Sequence, residues 1–147
     1  MLECLNSDLI AAMKAKDKVT LGVIRMIKGA IQLEEIQKKQ QLNDDDIITI
    51  ISKQIKMRKE SIEEFKKGNR NDLIDQTEVE LVILNKYLPE QLSDEELIKI
   101  VTDVISKVNA QTTSDIGKIM KELVPLIRGK ADMGKVNLTI KDKLGIN

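Results

Sequence analysis

An all-α protein is what this sequence predicts, and three observations predict it. Apolar residues recur three and four positions apart through most of the chain, while strand-like alternation is almost absent. Helix punctuation is explicit: Asn43 precedes three aspartates, Ser93 is followed by Glu96, and Gly or Pro closes apolar stretches. The interior has to be aliphatic, because one Phe, one Tyr and no Trp accompany 41% hydrophobic and 33% charged residues. Such a composition suits helices with densely charged outer faces.

The elements follow in order. Leu2, Leu5, Leu9, Ala12 and Met13 make the first apolar stripe, and Leu21, Ile24, Ile27, Ile31 and Leu33 the second. A third helix starts at Asn43, whose side chain suits a cap, and Asp44 to Asp46 meet the positive end of its dipole. It runs through Ile47, Ile51, Ile55 and Ile62 to Gly68, with Lys59–Glu63 and Glu63–Lys67 as neighbours on a salt-bridged exterior. Gln54, Arg58 and Phe65 share one of its faces. A fourth helix spans about 71–87.

Pro89 ends that helix, because the residue before a proline avoids helical geometry. Ser93 and Glu96 form a capping box that opens the fifth, where Leu97, Val101 and Val104 lead a broad apolar face. The expectation is therefore a four-helix bundle over residues 1–91 and a small three-helix domain over residues 92–147.

The last third repeats itself: DIGKI at 115–119 recurs as DMGKV at 132–136. Each copy reads as a helix start with Asp as cap. Glycine in a first turn costs stability relative to alanine, so close approach of another backbone is expected there. Pro125 predicts a kink or early end in the first of these helices, and Gly129 closes it.

Composition also excludes chemistry. With no histidine and one cysteine, Cys4, the chain has no Ser-His or Cys-His nucleophile system, no internal disulfide and no Cys/His zinc set. Glu78 and Glu80 diverge on a helix and make no working carboxylate pair, and the Asn43–Asp46 run lacks the spacing of a calcium loop. No cofactor or metal is expected. The start of the chain lacks a signal-peptide pattern and no apolar run approaches membrane-spanning length, so a cytoplasmic protein without a membrane partner is expected.

Residues Gly129 to Lys135 fit G-x-x-x-x-G-K, but Val136 stands where a phosphate loop needs Ser or Thr, and helical spacing precedes the first glycine. The segment reads instead as a corner between two helices. Its surroundings are basic: Lys118, Lys121, Arg128, Lys130, Lys135, Lys141 and Lys143 outnumber Glu122, Asp132 and Asp142 within 118–143, on a chain of net charge +0. Helix N-termini at Gly117 and Gly134 would add backbone donors suited to phosphate oxygens. The candidate RNA-binding residues are Gly117, Lys118, Lys121, Arg128, Lys130, Gly134 and Lys135. The other reading of this surface is a solvated lysine-rich face.

Three segments, KMRKESIEEFKKGNR, ELVILNKYLPEQLSDEEL and DIGKIMKELVPLIRGKADMGKVN, in this order, resemble the bacterial YqeY-like proteins of the GatB/YqeY family. The resemblance implies a bacterial protein with a larger N-terminal helical bundle and a small C-terminal domain. That domain is similar to the tail domain of the tRNA-dependent aspartyl/glutamyl amidotransferase, which contacts tRNA. Carried onto this chain, the tail resemblance falls on Gly117, Lys118, Pro125, Gly129, Lys130, Ala131, Asp132 and Lys135, and the chain departs from the commonest form at Met133. A carbon–nitrogen ligase label, with glutamine as amido donor, travels with the family name, yet nothing in this chain resembles the catalytic parts of that enzyme. The expected function is a non-catalytic helical module that binds tRNA or a tRNA–protein complex. The alternative is a protein–protein adaptor that receives a partner on the apolar face of the 93–109 helix or in the groove between the two domains.

Overall fold

A computed structural model describes residues 1–145. Seven α-helices and no strand are found among them: α1 (Leu2–Ala15), α2 (Lys18–Lys38), α3 (Asp44–Lys67), α4 (Asn71–Asn85), α5 (Asp94–Val108), α6 (Ile116–Ile127) and α7 (Met133–Leu144), with a 3-10 turn at Thr113–Asp115. The chain divides into two compact units, Met1–Leu88 and the residues from Pro89 onward.

In the first unit α1 packs on α2, α2 on α3 and α4, and α3 on α4. Capping chemistry sets the helix ends. Asp17 accepts the backbone N–H of Thr20 at the start of α2, and Asn43 and Asp46 form a reciprocal capping box on α3. The core is aliphatic, with Leu5, Ile24, Ile27, Ile47, Ile51 and Leu84 all under 3% exposed. Burial on the first two helices is narrower than the stripes suggested. Leu2 and Met13 are exposed at the edge of the first stripe, and Leu33 is 58% exposed on the outer side of α2, away from Ile24, Ile27 and Ile31.

The charged exterior of α3 also differs in detail. Glu63 pairs with Lys66 and Glu64 with Lys67, three residues apart near the end of the helix, in place of Lys59–Glu63 and Glu63–Lys67. Arg58 lies inside the unit, at 8% exposure. Its Nε donates to Glu80 Oε2 at 3.2 Å, one terminal nitrogen donates to the Gln54 carbonyl and side-chain oxygens, and the other contacts Met26 Sδ. One guanidinium thus joins α2, α3 and α4. Of the two glutamates on α4, Glu80 is accounted for by this ion pair and Glu78 is exposed.

Tyr87 follows α4 and donates its hydroxyl to Asp8 of α1 at 2.5 Å. Burial, the hydrogen bond and the charge of Asp8 push the hydroxyl above its ordinary value. A raised folded-state value means the native protein holds this proton more tightly than the unfolded chain. The stabilisation is therefore complete below about pH 10, the unfolded tyrosine value, and is lost as pH rises above it. Urea unfolding followed from pH 7 into the alkaline range should show wild type losing stability above about pH 10 more steeply than Tyr87→Phe. Parallel curves would remove Tyr87 from the account.

The second unit has its own core. Leu97, Val101 and Val104 of α5 meet Ile119, Leu123 and Ile127 of α6 and Val136 and Ile140 of α7. Ser93 and Glu96 form the expected capping box. The apolar face of α5, which the sequence offered to an external partner, packs on α6 and α7, and its three leading residues are at most 4% exposed.

Candidate nucleic-acid interface

The two copies of the Asp-x-Gly-Lys repeat do different jobs. In the second, Asp132 is a helix cap: its side chain accepts the backbone N–H of Lys135 at 3.3 Å. Gly134 has an internal reason for being glycine, since a Cβ there would come within 3.2 Å of the capping carboxylate. In the first copy Asp115 does not cap α6. It belongs to the 3-10 turn opened by Thr112, and its carboxylate reaches back to the N–H groups of Gln111 at 2.9 Å and Thr112 at 3.2 Å. Those bonds, with Lys118 nearby, hold its carboxyl below the ordinary carboxylate range. Gly117 is the second residue of α6, a helix entered through the 3-10 turn and not through a side-chain cap. Outside its own helix backbone, nothing among the described residues lies within 4 Å of a Cβ built there, so no neighbouring backbone among them explains that glycine.

On α6 the buried residues Ile119, Leu123 and Ile127 fall four apart on one side. Lys118, Lys121 and Pro125 take the opposite side, and Arg128, seven residues after Lys121, continues the same line. The helix passes through Pro125 and ends two residues later at Ile127. Proline near a C-terminus leaves the Lys121 carbonyl without its usual N–H donor. Arg128 then turns extended, and Gly129 adopts φ 73°, the left-handed geometry glycine accepts at least cost. Gly129→Ala should lower the stability of this unit by about 1 kcal/mol through that dihedral alone. Denaturant unfolding with an unchanged slope would confirm it, and no change in midpoint would contradict it.

The corner is strapped from outside. Gln91 Nε2 donates to the Gly129 carbonyl at 2.6 Å, and the Leu92 N–H donates to the Lys130 carbonyl at 2.8 Å. The segment between Pro89 and Ser93 is thus more than a link, since it ties the second family-like segment to the third. Sequence reasoning missed these two residues. The signal present was a short polar segment of fixed length between a helix-stopping proline and a capping serine, and nothing local indicated where its donors would go.

The cations are unequal. Lys118 pairs with Asp115 at 3.8 Å, and Lys135 pairs with Asp94 in the first turn of α5. Among the described residues Lys121 and Lys130 have no carboxylate partner. Arg128 is exposed on the same line as Lys121. Lys121 and Lys130 are therefore the residues placed best to meet an anion, and Lys118 and Lys135 would first exchange an aspartate for it. Among the described residues no group of three or more His, Cys, Asp and Glu could hold a metal ion, and no helix is long and apolar enough to cross a membrane.

These features define a class: an all-helical protein in two units whose second unit presents a strapped, lysine-rich helix corner. The chain belongs to the YqeY-like protein family, whose model matches residues 2–144. Among its relatives is the mitochondrial protein named altered inheritance of mitochondria protein 41 of Pyrenophora tritici-repentis, 30% identical over 99% of this chain and 81% of that protein. The protein of the same name in Saccharomyces cerevisiae is 31% identical over 96% of this chain and 66% of its own length. That of Lachancea thermotolerans is 40% identical over 57% of this chain and 46% of its own length. These relatives are fungal and lend no support to the expectation of a bacterial source.

Proposed function

We propose that this protein is a non-catalytic helical module whose second unit binds tRNA, free or within a tRNA-dependent amidotransferase complex. The observation that carries the reading is the line Lys118, Lys121, Arg128 on the outer side of α6, opposite the core and continued at the corner by Lys130. Cations on a rigid helix suit phosphates repeating along an RNA backbone, and charge of this kind positions a ligand without selecting its sequence. The resemblance to the amidotransferase tail domain points the same way. The adaptor reading loses one of its two surfaces, because the apolar face of α5 is core. A tRNA ligand suits the cytoplasm expected from the sequence, and it equally suits the mitochondrial setting named for the fungal relatives.

Fluorescence titration of a bulk tRNA pool with the full chain across a salt series tests this. Three to four phosphate contacts give a slope of log K against log salt of about −3. Lys121→Glu with Lys130→Glu should weaken binding at least tenfold and reduce that slope by about 2, with the helical circular dichroism unchanged. Lys14→Glu on α1 should do neither. Absence of binding at low salt, or an intact slope in the double variant, would sink the reading.

A further inference from the structure

The outer side of α2 carries a pattern that the fold itself uses only at Met26, through its contact with Arg58. Val19, Gly22, Met26, Gly29, Leu33 and Ile36 follow one another at spacings of three and four, a heptad seam along a single side of the helix. All six are exposed, Leu33 by 58% and Ile36 by 72%, while Val23, Ile24, Ile27 and Ile31 on the other side fill the core. Glycine inside a helix is destabilising relative to alanine, and α2 has two, seven residues apart. A Cβ at either would meet nothing within 4 Å. Neither glycine is required by any contact among the described residues, and large apolar side chains stand on the same line.

The order of large and small residues is its own complement when the seam is reversed. With a two-fold axis midway between positions 27 and 28, Met26 faces Gly29, Leu33 faces Gly22 and Ile36 faces Val19. Met26 and Leu33 then enter the space over a glycine while Ile36 packs on Val19, and the missing Cβ atoms let the two helices approach closely. A parallel pairing would set glycine on glycine and methionine on methionine, leaving gaps between collisions. Met26 is held at the centre by its contact with Arg58. A net charge of +0 places no overall repulsion between copies.

From this we infer that α2 is the seat of an isologous dimer, in which two copies of this chain pair antiparallel along Val19–Ile36. The seam is about 26 Å long. One helix pair of that length buries on the order of 1,000 Å², the low end of specific interfaces, so the dimer is reversible at micromolar concentration.

Sedimentation equilibrium of the full chain from low micromolar to near-millimolar concentration should show the mass rising from 16.6 kDa toward twice that value. Gly29→Gln fills the gap at the centre with a residue of better helix propensity, so it should raise the dissociation constant at least tenfold while helicity is kept or increased. In a Cys4→Ser background, mixing Leu33→Cys with Gly22→Cys should give the mixed disulfide ahead of the Leu33→Cys homodimer, whose sulfurs would lie about 16 Å apart along the seam. A constant monomer mass, undiminished association of Gly29→Gln, or preferential Leu33–Leu33 cross-linking would each overturn the inference.

Discussion

An Arg58→Ala variant is expected to lose about 3 kcal/mol of stability and to melt roughly 10 °C below wild type. The size of the loss comes from what remains. Arg58 is 8% exposed and ties Glu80, Gln54 and Met26 together from three helices. Removing it leaves the Glu80 carboxylate, its side chain only 22% exposed, without its cation. Uncompensated buried charge is the dominant penalty here, larger than the hydrogen bonds counted singly. Two further measurements separate this from simple loss of packing. The deficit should persist in 1 M salt, because a buried pair is weakly screened. Arg58→Met combined with Glu80→Leu should recover most of it, since apolar side chains of similar length fill the space without a charge to satisfy. A deficit that vanishes in salt would mean the pair behaves as a surface contact.

Leu123→Ala is expected to cost a similar amount, about 3 kcal/mol, in the second unit. Leu123 is fully buried in the core it shares with Leu97, Val101 and Ile140, and shortening it opens a cavity that three short helices are poorly able to close. Small cores have a narrow stability margin, so the same loss is a larger share here than in the first unit. Hydrogen exchange read by mass spectrometry should show faster exchange across α5, α6 and α7, with the amides around Ile27 and Leu84 still protected. Uniform acceleration along the whole chain would show that the two cores unfold as one.

Much of the architecture was legible because it rests on short-range rules. Asn43, Ser93 and Asp132 act within three residues of themselves, and their capping bonds form as read. Core positions at the centre of each stripe, such as Ile24, Ile51 and Val101, are fully buried as periodicity requires. The stripe edges were not legible. Whether Leu2 and Met13 are covered depends on where the neighbouring helices stop, and no local pattern encodes that distance.

The candidate site was legible only as a set of residues. The sequence named its basic side chains, yet it could not rank them, because the partners of Lys118 and Lys135 are set by a 3-10 turn and by the neighbouring helix α5. It also assigned the two Asp-x-Gly-Lys copies one meaning, where backbone geometry gives them two.

By itself, then, the sequence determined the all-helical class, the aliphatic cores, the main caps and the basic character of residues 118–143. All of these follow from periodicity and composition, which act through neighbours in the chain. Tertiary structure alone decided that Arg58 is interior, that the face of α5 is core and not a docking surface, and that Gln91 and Leu92 strap the 129–130 corner. Each of those depends on residues far apart in sequence meeting in space, and the free energy of such a meeting is set by what it buries.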